Sequence, residues 1–142
     1  MMKPTHLLIV LQLLAFSGIA HAELPGITLT VSGANPPTGR IEATLFNSPE
    51  GFLRDVFMQQ SGDVAEDGTF TAEFVGLDEG EYAIVVVHDA NDNGVYDAGL
   101  FGFGGEALGY SNGAWSLLGR PDFEDAKFTV NEAGQAVHID LD

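Results

Sequence analysis

From Ile27 onward the chain alternates apolar and polar residues with a period of two, and that period decides what it can fold into. Ile27-Thr-Leu29-Thr-Val31 and Arg40-Ile41-Glu-Ala43-Thr-Leu45-Phe46 each place their apolar side chains on one face of an extended strand. Thr69–Val75 repeats the pattern through Phe70, Ala72 and Phe74, and Val56–Gln60 is a weaker, edge-like version. Glu81–His88 carries Ala-Ile-Val-Val-Val at its centre, the composition of a strand buried on both faces. Lys127–Val130 and Ala136–Leu141 flank Asn131-Glu-Ala-Gly134 and are expected to form a hairpin. No window favours a helix. Seven short strands at this spacing predict an all-β fold, an antiparallel Ig-like β-sandwich.

Between the fifth and sixth predicted strands lies a 37-residue insertion, Asp89 to Asp125. Excursions of this length are usually functional or disordered. Its glycines alternate with Phe101, Phe103, Tyr110 and Trp115, and that aromatic content argues for order. The insertion opens with Asp89-Ala-Asn91-Asp-Asn93-Gly94-Val95-Tyr-Asp97. Side-chain oxygens fall at loop positions 1, 3, 5 and 9, a glycine at 6, and position 7 offers its carbonyl. A hard, oxygen-seeking cation needs this spacing. A simple Asn-Gly turn would account for Asn93 and Gly94 but not for Asp89, Asn91 and Asp97 around them.

The expected metal ligands are therefore Asp89, Asn91, Asn93, Val95 (through its carbonyl) and Asp97, and the expected ion is Ca²⁺. The loop is not an EF-hand: Leu100 stands where the bidentate glutamate belongs, and no helices flank it. With two ligating carboxylates, affinity is expected at ~10⁻⁴ to 10⁻³ M, in the range of extracellular calcium modules. Glu106, Glu124 and Asp125 are candidates to complete the shell.

The N-terminus points to export. Lys3 precedes an apolar run from Leu7 to Phe16, broken only by Gln12, and Ala20-His-Ala22 has the small-x-small form of a signal peptidase site. The run falls short of the roughly 18 apolar residues of a membrane span. Residues 1–22 are expected to be a cleaved signal peptide and 23–142 a single domain, periplasmic or secreted, with no transmembrane segment after cleavage. Losing Lys3 takes the net charge from −16 to −17, which disfavours nucleic acid and anionic lipid. The chain has no cysteine, which excludes disulfides and thiolate chemistry.

Motifs for catalysis are weak. Gly109-Tyr-Ser111-Asn-Gly113 fits the Gly-x-Ser-x-Gly nucleophile pattern, but no strand-to-helix elbow is expected around it. Gly102-Phe-Gly104-Gly-Glu-Ala107 is a loose dinucleotide fingerprint in an acidic chain with no βαβ context. Glu106, Asp122, Glu124 and Asp125 could supply an acid and a base for a small carbohydrate-acting hydrolase, although 21 acids guarantee acidic clusters somewhere. The expectation is a non-enzymatic binding or structural module of the cell envelope. Its partner would be a small ligand, a glycan or an envelope protein. Phe101, Phe103, Tyr110 and Trp115 are expected to cover an open end of the sandwich, the alternative being an exposed carbohydrate-binding platform.

Gly76-Leu-Asp-Glu-Gly80-Glu-Tyr82 through His88-Asp89-Ala-Asn91-Asp-Asn93-Gly94, then Gly109-Tyr-Ser111-Asn112 and Pro121-Asp-Phe123-Glu124-Asp125-Ala126-Lys-Phe128, resemble an exported bacterial family, domain of unknown function number 2141. The resemblance also takes in Val31-Ser-Gly33 and Gly39–Phe46, and so spans nearly all of the chain after residue 22. The Gly-Leu-x-x-Gly-x-Tyr piece is similar to prealbumin-like and carboxypeptidase-regulatory-like sandwiches, in which Gly-x-Tyr opens a central strand. The resemblance implies the fold and export. It implies no activity.

Overall fold

The alternating segments become strands of two sheets with one core between them. The computed structural model describes residues 23–99, 105–117 and 119–142. In chain order they form β1 (Ile27–Ser32), β2 (Arg40–Phe46), β3 (Met58–Asp63), β4 (Phe70–Phe74), β5 (Gly80–Asp89), β6 (Leu108–Tyr110), a 3-10 turn (Ser111–Gly113), α1 (Phe123–Ala126), β7 (Phe128–Val130) and β8 (Gln135–Asp140). The three-stranded sheet runs β4-β1-β8, and the other runs β3-β2-β5-β6, with β7 also paired to β5. Ile27, Leu29 and Val31 of β1 face Ile41, Ala43 and Leu45 of β2 and Ile84 and Val86 of β5, all at most 1% exposed. The odd–even alternation predicted these inward faces for β1 and β2.

β5 is buried on both faces, as its composition predicted. Its second face, with Ala83 and Val85, joins Phe46 under a third layer made by Phe52, Leu53, Phe123 and Ala126. Phe52 stands edge-on to Phe46 and to Phe123, with ring centroids 5.3 and 5.7 Å apart, a favoured arrangement of aromatic quadrupoles. Asp125 accepts a hydrogen bond from the Asp122 amide (3.4 Å) and so caps α1. Lys127 bridges Glu124 and Glu81, tying α1 to β5.

The sandwich holds, with four corrections. Among the described residues it has eight strands, because the insertion contains β6 as well as α1. β1 and β8 pair in parallel, so the fold is not wholly antiparallel. The expected hairpin is only a turn: Gly134 donates to the Asn131 carbonyl, but β7 then pairs with β5 and β8 with β1. β3 starts two residues later than Val56: the Phe57 amide still donates to the Leu45 carbonyl of β2 (3.0 Å), but its ring rests against Tyr82 and the paired strand begins at Met58. The expected signal peptide lies outside the described residues. Among the described residues no helix is long and apolar enough to cross a membrane.

Candidate metal site

Strand register builds the site. β2 and β5 pair antiparallel with Arg40 opposite Asp89. On the other edge of β5, Val85, Val86 and Val87 pair with Tyr110, Gly109 and Leu108, and the His88 amide continues the ladder to the Ala107 carbonyl (3.0 Å). The next step places Glu106 across from Asp89. Both carboxylates then accept from amides of the same loop, although 16 residues separate them in sequence.

The root beneath the loop is tied to the Thr38 turn by two hydrogen bonds. His88 is 1% exposed and its Nε2 sits 2.8 Å from the Thr38 carbonyl, while Thr38 Oγ1 donates to the Ala90 carbonyl. Gly39 is required there: it has φ +79°, and a Cβ would fall 2.1 Å from the Asp89 carbonyl oxygen.

Within the loop, Asp89 takes the Asn93 amide on Oδ1 (3.1 Å) and the Gly94 amide on Oδ2 (2.8 Å). Asn91 Oδ1 accepts from the Asn93 amide, and Asn93 Oδ1 from the Val95 amide (2.9 Å). The carboxamide nitrogens of Asn91 and Asn93 both donate to Asp97 Oδ2, at 3.1 and 3.0 Å. Glu106 closes the loop, its two oxygens accepting from the amides of Ala90 and Asp97 at 3.0 Å each, while its own amide donates to the Asp97 carbonyl. Gly94 makes the turn at φ +76°. Asp92 turns away toward Arg40, 3.9 Å from its Nε.

Partial burial pushes the Asp89 carboxyl pKa up. The Gly94 and Asn93 amides, with the Glu106 contact, outweigh that and hold it below the usual aspartate value.

The structure thus brings Asp89, Asn91, Asn93 and Asp97 into one hydrogen-bonded loop. The Val95 side chain faces solvent. Of the three candidates to complete the shell, only Glu106 reaches the loop. Glu124 pairs with Lys127, and Asp125 caps α1. Among the described residues no group of three or more His, Asp or Glu converges to hold a metal ion. The oxygens on offer are a mixed set of carboxylates, carboxamides and backbone carbonyls.

Ser111 is no nucleophile. It is fully buried, its hydroxyl donating to the Ala126 carbonyl (2.6 Å) and accepting from the Ile84 amide (2.9 Å). Gly109, the first glycine of that motif, is needed for packing, since a Cβ would fall 2.6 Å from Ile139 Cγ2. Tyr110 packs on the Phe46–Phe123 cluster, but Trp115 is 74% exposed and does not cover the sandwich end. Phe101 and Phe103 lie outside the described residues.

A family model described as "Uncharacterized protein conserved in bacteria (DUF2141)" matches residues 29–138. The chain belongs to this family. The match runs from β1 into β8 and takes in the whole of the DUF2141 loop together with Glu106. No curated protein and no solved structure matches this DUF2141 chain.

Proposed function

We propose that this DUF2141 protein is a non-catalytic, exported module of the bacterial cell envelope whose insertion is clasped by a calcium ion. Asp89, Asn91, Asn93 and Asp97 would supply side-chain oxygens, Val95 its carbonyl, and Glu106 a carboxylate from the far limb. The observation that carries the reading is the closure of the loop by Glu106, which the β5–β6 register sets across from Asp89 and whose two oxygens accept from the Ala90 and Asp97 amides at 3.0 Å each. Two like charges held together favour a cation between them or a shared proton. Arg40, 3.9 Å from Asp92 of the loop, is engaged 3.0 Å from Asp63. Each carboxylate has about four lone-pair positions, so the amides it already accepts leave room for an ion. The Asn91 and Asn93 carboxamides can turn over to point Oδ1 inward, since only hydrogen bonding fixes which end is which.

One millimolar Ca²⁺ at a Kd of ~10⁻⁴ M would stabilise the fold by about 1.4 kcal/mol. For a domain of this size that raises Tm by roughly 4–8 °C over an EDTA control. Asp89→Ala should abolish the rise and Glu106→Gln should shrink it, whereas Asp92→Ala should leave it intact. An unchanged melt with no calorimetric binding heat would remove the calcium model.

Support for export comes from the Leu7–Phe16 run and Ala20-His-Ala22, and N-terminal sequencing from a bacterial host tests it. Chain recovered outside the cytoplasm should begin at Glu23. Uncleaved chain retained in the cytoplasm would defeat this part of the proposal.

A further inference from the structure

The loop holds an Asn-Gly pair, Asn93-Gly94, and a second pair, Asn112-Gly113, lies on the 3-10 turn; all four residues are exposed. Asn-Gly is the sequence in which a backbone amide most readily attacks the preceding side chain, because glycine puts no Cβ in the way. The Gly94 nitrogen would lose its proton to water and bond to Asn93 Cγ. The Cγ–Nδ2 bond would then break, and the nitrogen would leave as ammonia once protonated. Water opens the resulting succinimide at Cγ to give aspartate, or at the backbone carbonyl to give isoaspartate. The sum is one water consumed and one ammonia released, with no oxidant or cofactor.

We infer that Asn93 is a site of spontaneous deamidation, and that Asp89 is the residue that guards it. Attack needs the Gly94 nitrogen to swing onto Cγ, and the structure restrains both partners. The nucleophile is tied by its own N–H to Asp89 Oδ2 at 2.8 Å. The carboxamide is pinned at both ends, Oδ1 by the Val95 amide (2.9 Å) and Nδ2 by Asp97 Oδ2 (3.0 Å). The side of Gly94 itself is open, with no atom within 4 Å of where a Cβ would be. Asn112 is restrained differently. Its backbone is left-handed at φ 59° and ψ 15°, and its side-chain nitrogen is drawn away to the Lys127 carbonyl.

The products would change the loop. Aspartate at 93 places a second carboxylate against Asp97, a repulsion that a cation relieves. Isoaspartate lengthens the backbone by one methylene and carries the Gly94 amide off Asp89. The inference does not rest on the calcium reading, because the restraining bonds are the loop's own.

The test is peptide mapping by mass spectrometry after incubation at mildly alkaline pH with EDTA throughout. Deamidation at Asn93 is read against Asn112 in the same molecules. Wild type should convert slowly at both sites. In Asp89→Ala the Asn93-to-Asn112 ratio should rise several-fold. In Asp89→Asn, which keeps one acceptor oxygen, it should rise less. Global unfolding accelerates both sites together, so the ratio reports on the loop even in a destabilised variant. A ratio unchanged from wild type in both variants overturns the inference. Calorimetry with Ca²⁺ decides the metal reading separately.

Discussion

At the scale of single residues, Ser111 shows how a motif with catalytic spelling becomes a structural device. β5 pairs with β7 through Gly80–Tyr82 and with β6 through Val85–Val87, leaving Ile84 in the gap between two short partners. Its amide is buried there and needs an acceptor. The Ser111 hydroxyl supplies it and donates its own hydrogen bond to the Ala126 carbonyl, stitching β5 to the end of α1. Ser111→Ala should therefore leave a buried donor and a buried acceptor unmet. Such losses cost about 1–3 kcal/mol apiece, so roughly 2–6 kcal/mol is expected by urea unfolding. A loss under about 1 kcal/mol would mean that water replaces the hydroxyl. The loop residues Asp89, Asn91, Asn93 and Asp97 were legible from spacing alone, because alternate residues of a wound loop share its inside. Glu106 was one of three candidates, and only strand register could select it. No spacing rule links it to Asp89.

At the scale of elements, legibility followed length and burial. β1, β2 and β5 are long enough for a period to repeat and face a core that enforces it, so both their existence and their buried faces could be read. β6 has three residues and α1 has four, too few for either period to declare itself. α1 carries a local sign, since Asp122 and Asp125 stand at the N-cap and N3 positions, but its four residues are too few for a helical period to accompany it. β3 slipped because an edge strand with half-exposed residues has weak alternation. The turn at Asn131–Gly134 was legible, since turn chemistry is local. Which sheet each flanking strand joins is a tertiary choice. β8 finds β1 in parallel across more than a hundred residues, a pairing no local pattern encodes.

At the scale of the whole molecule, charge is the dominant feature. Twenty-one acids face five Lys and Arg. Three of those cations, Arg40, Arg54 and Lys127, already sit in exposed or half-exposed ion pairs, which contribute little each. The remaining acids repel one another across the surface and weaken the compact state. Sodium chloride should then raise Tm, because the screening length shrinks from about 10 Å at 0.1 M salt to about 3 Å at 1 M. If the Lys127 bridges and similar pairs governed stability instead, salt would lower Tm. This background sets the control that the clasp needs, since calcium also screens. At matched ionic strength, CaCl₂ should add a saturable increment above NaCl, and Asp89→Ala should lose that increment while keeping the sodium response. An equal response to the two salts in wild type would assign all of the calcium effect to screening and none to the loop.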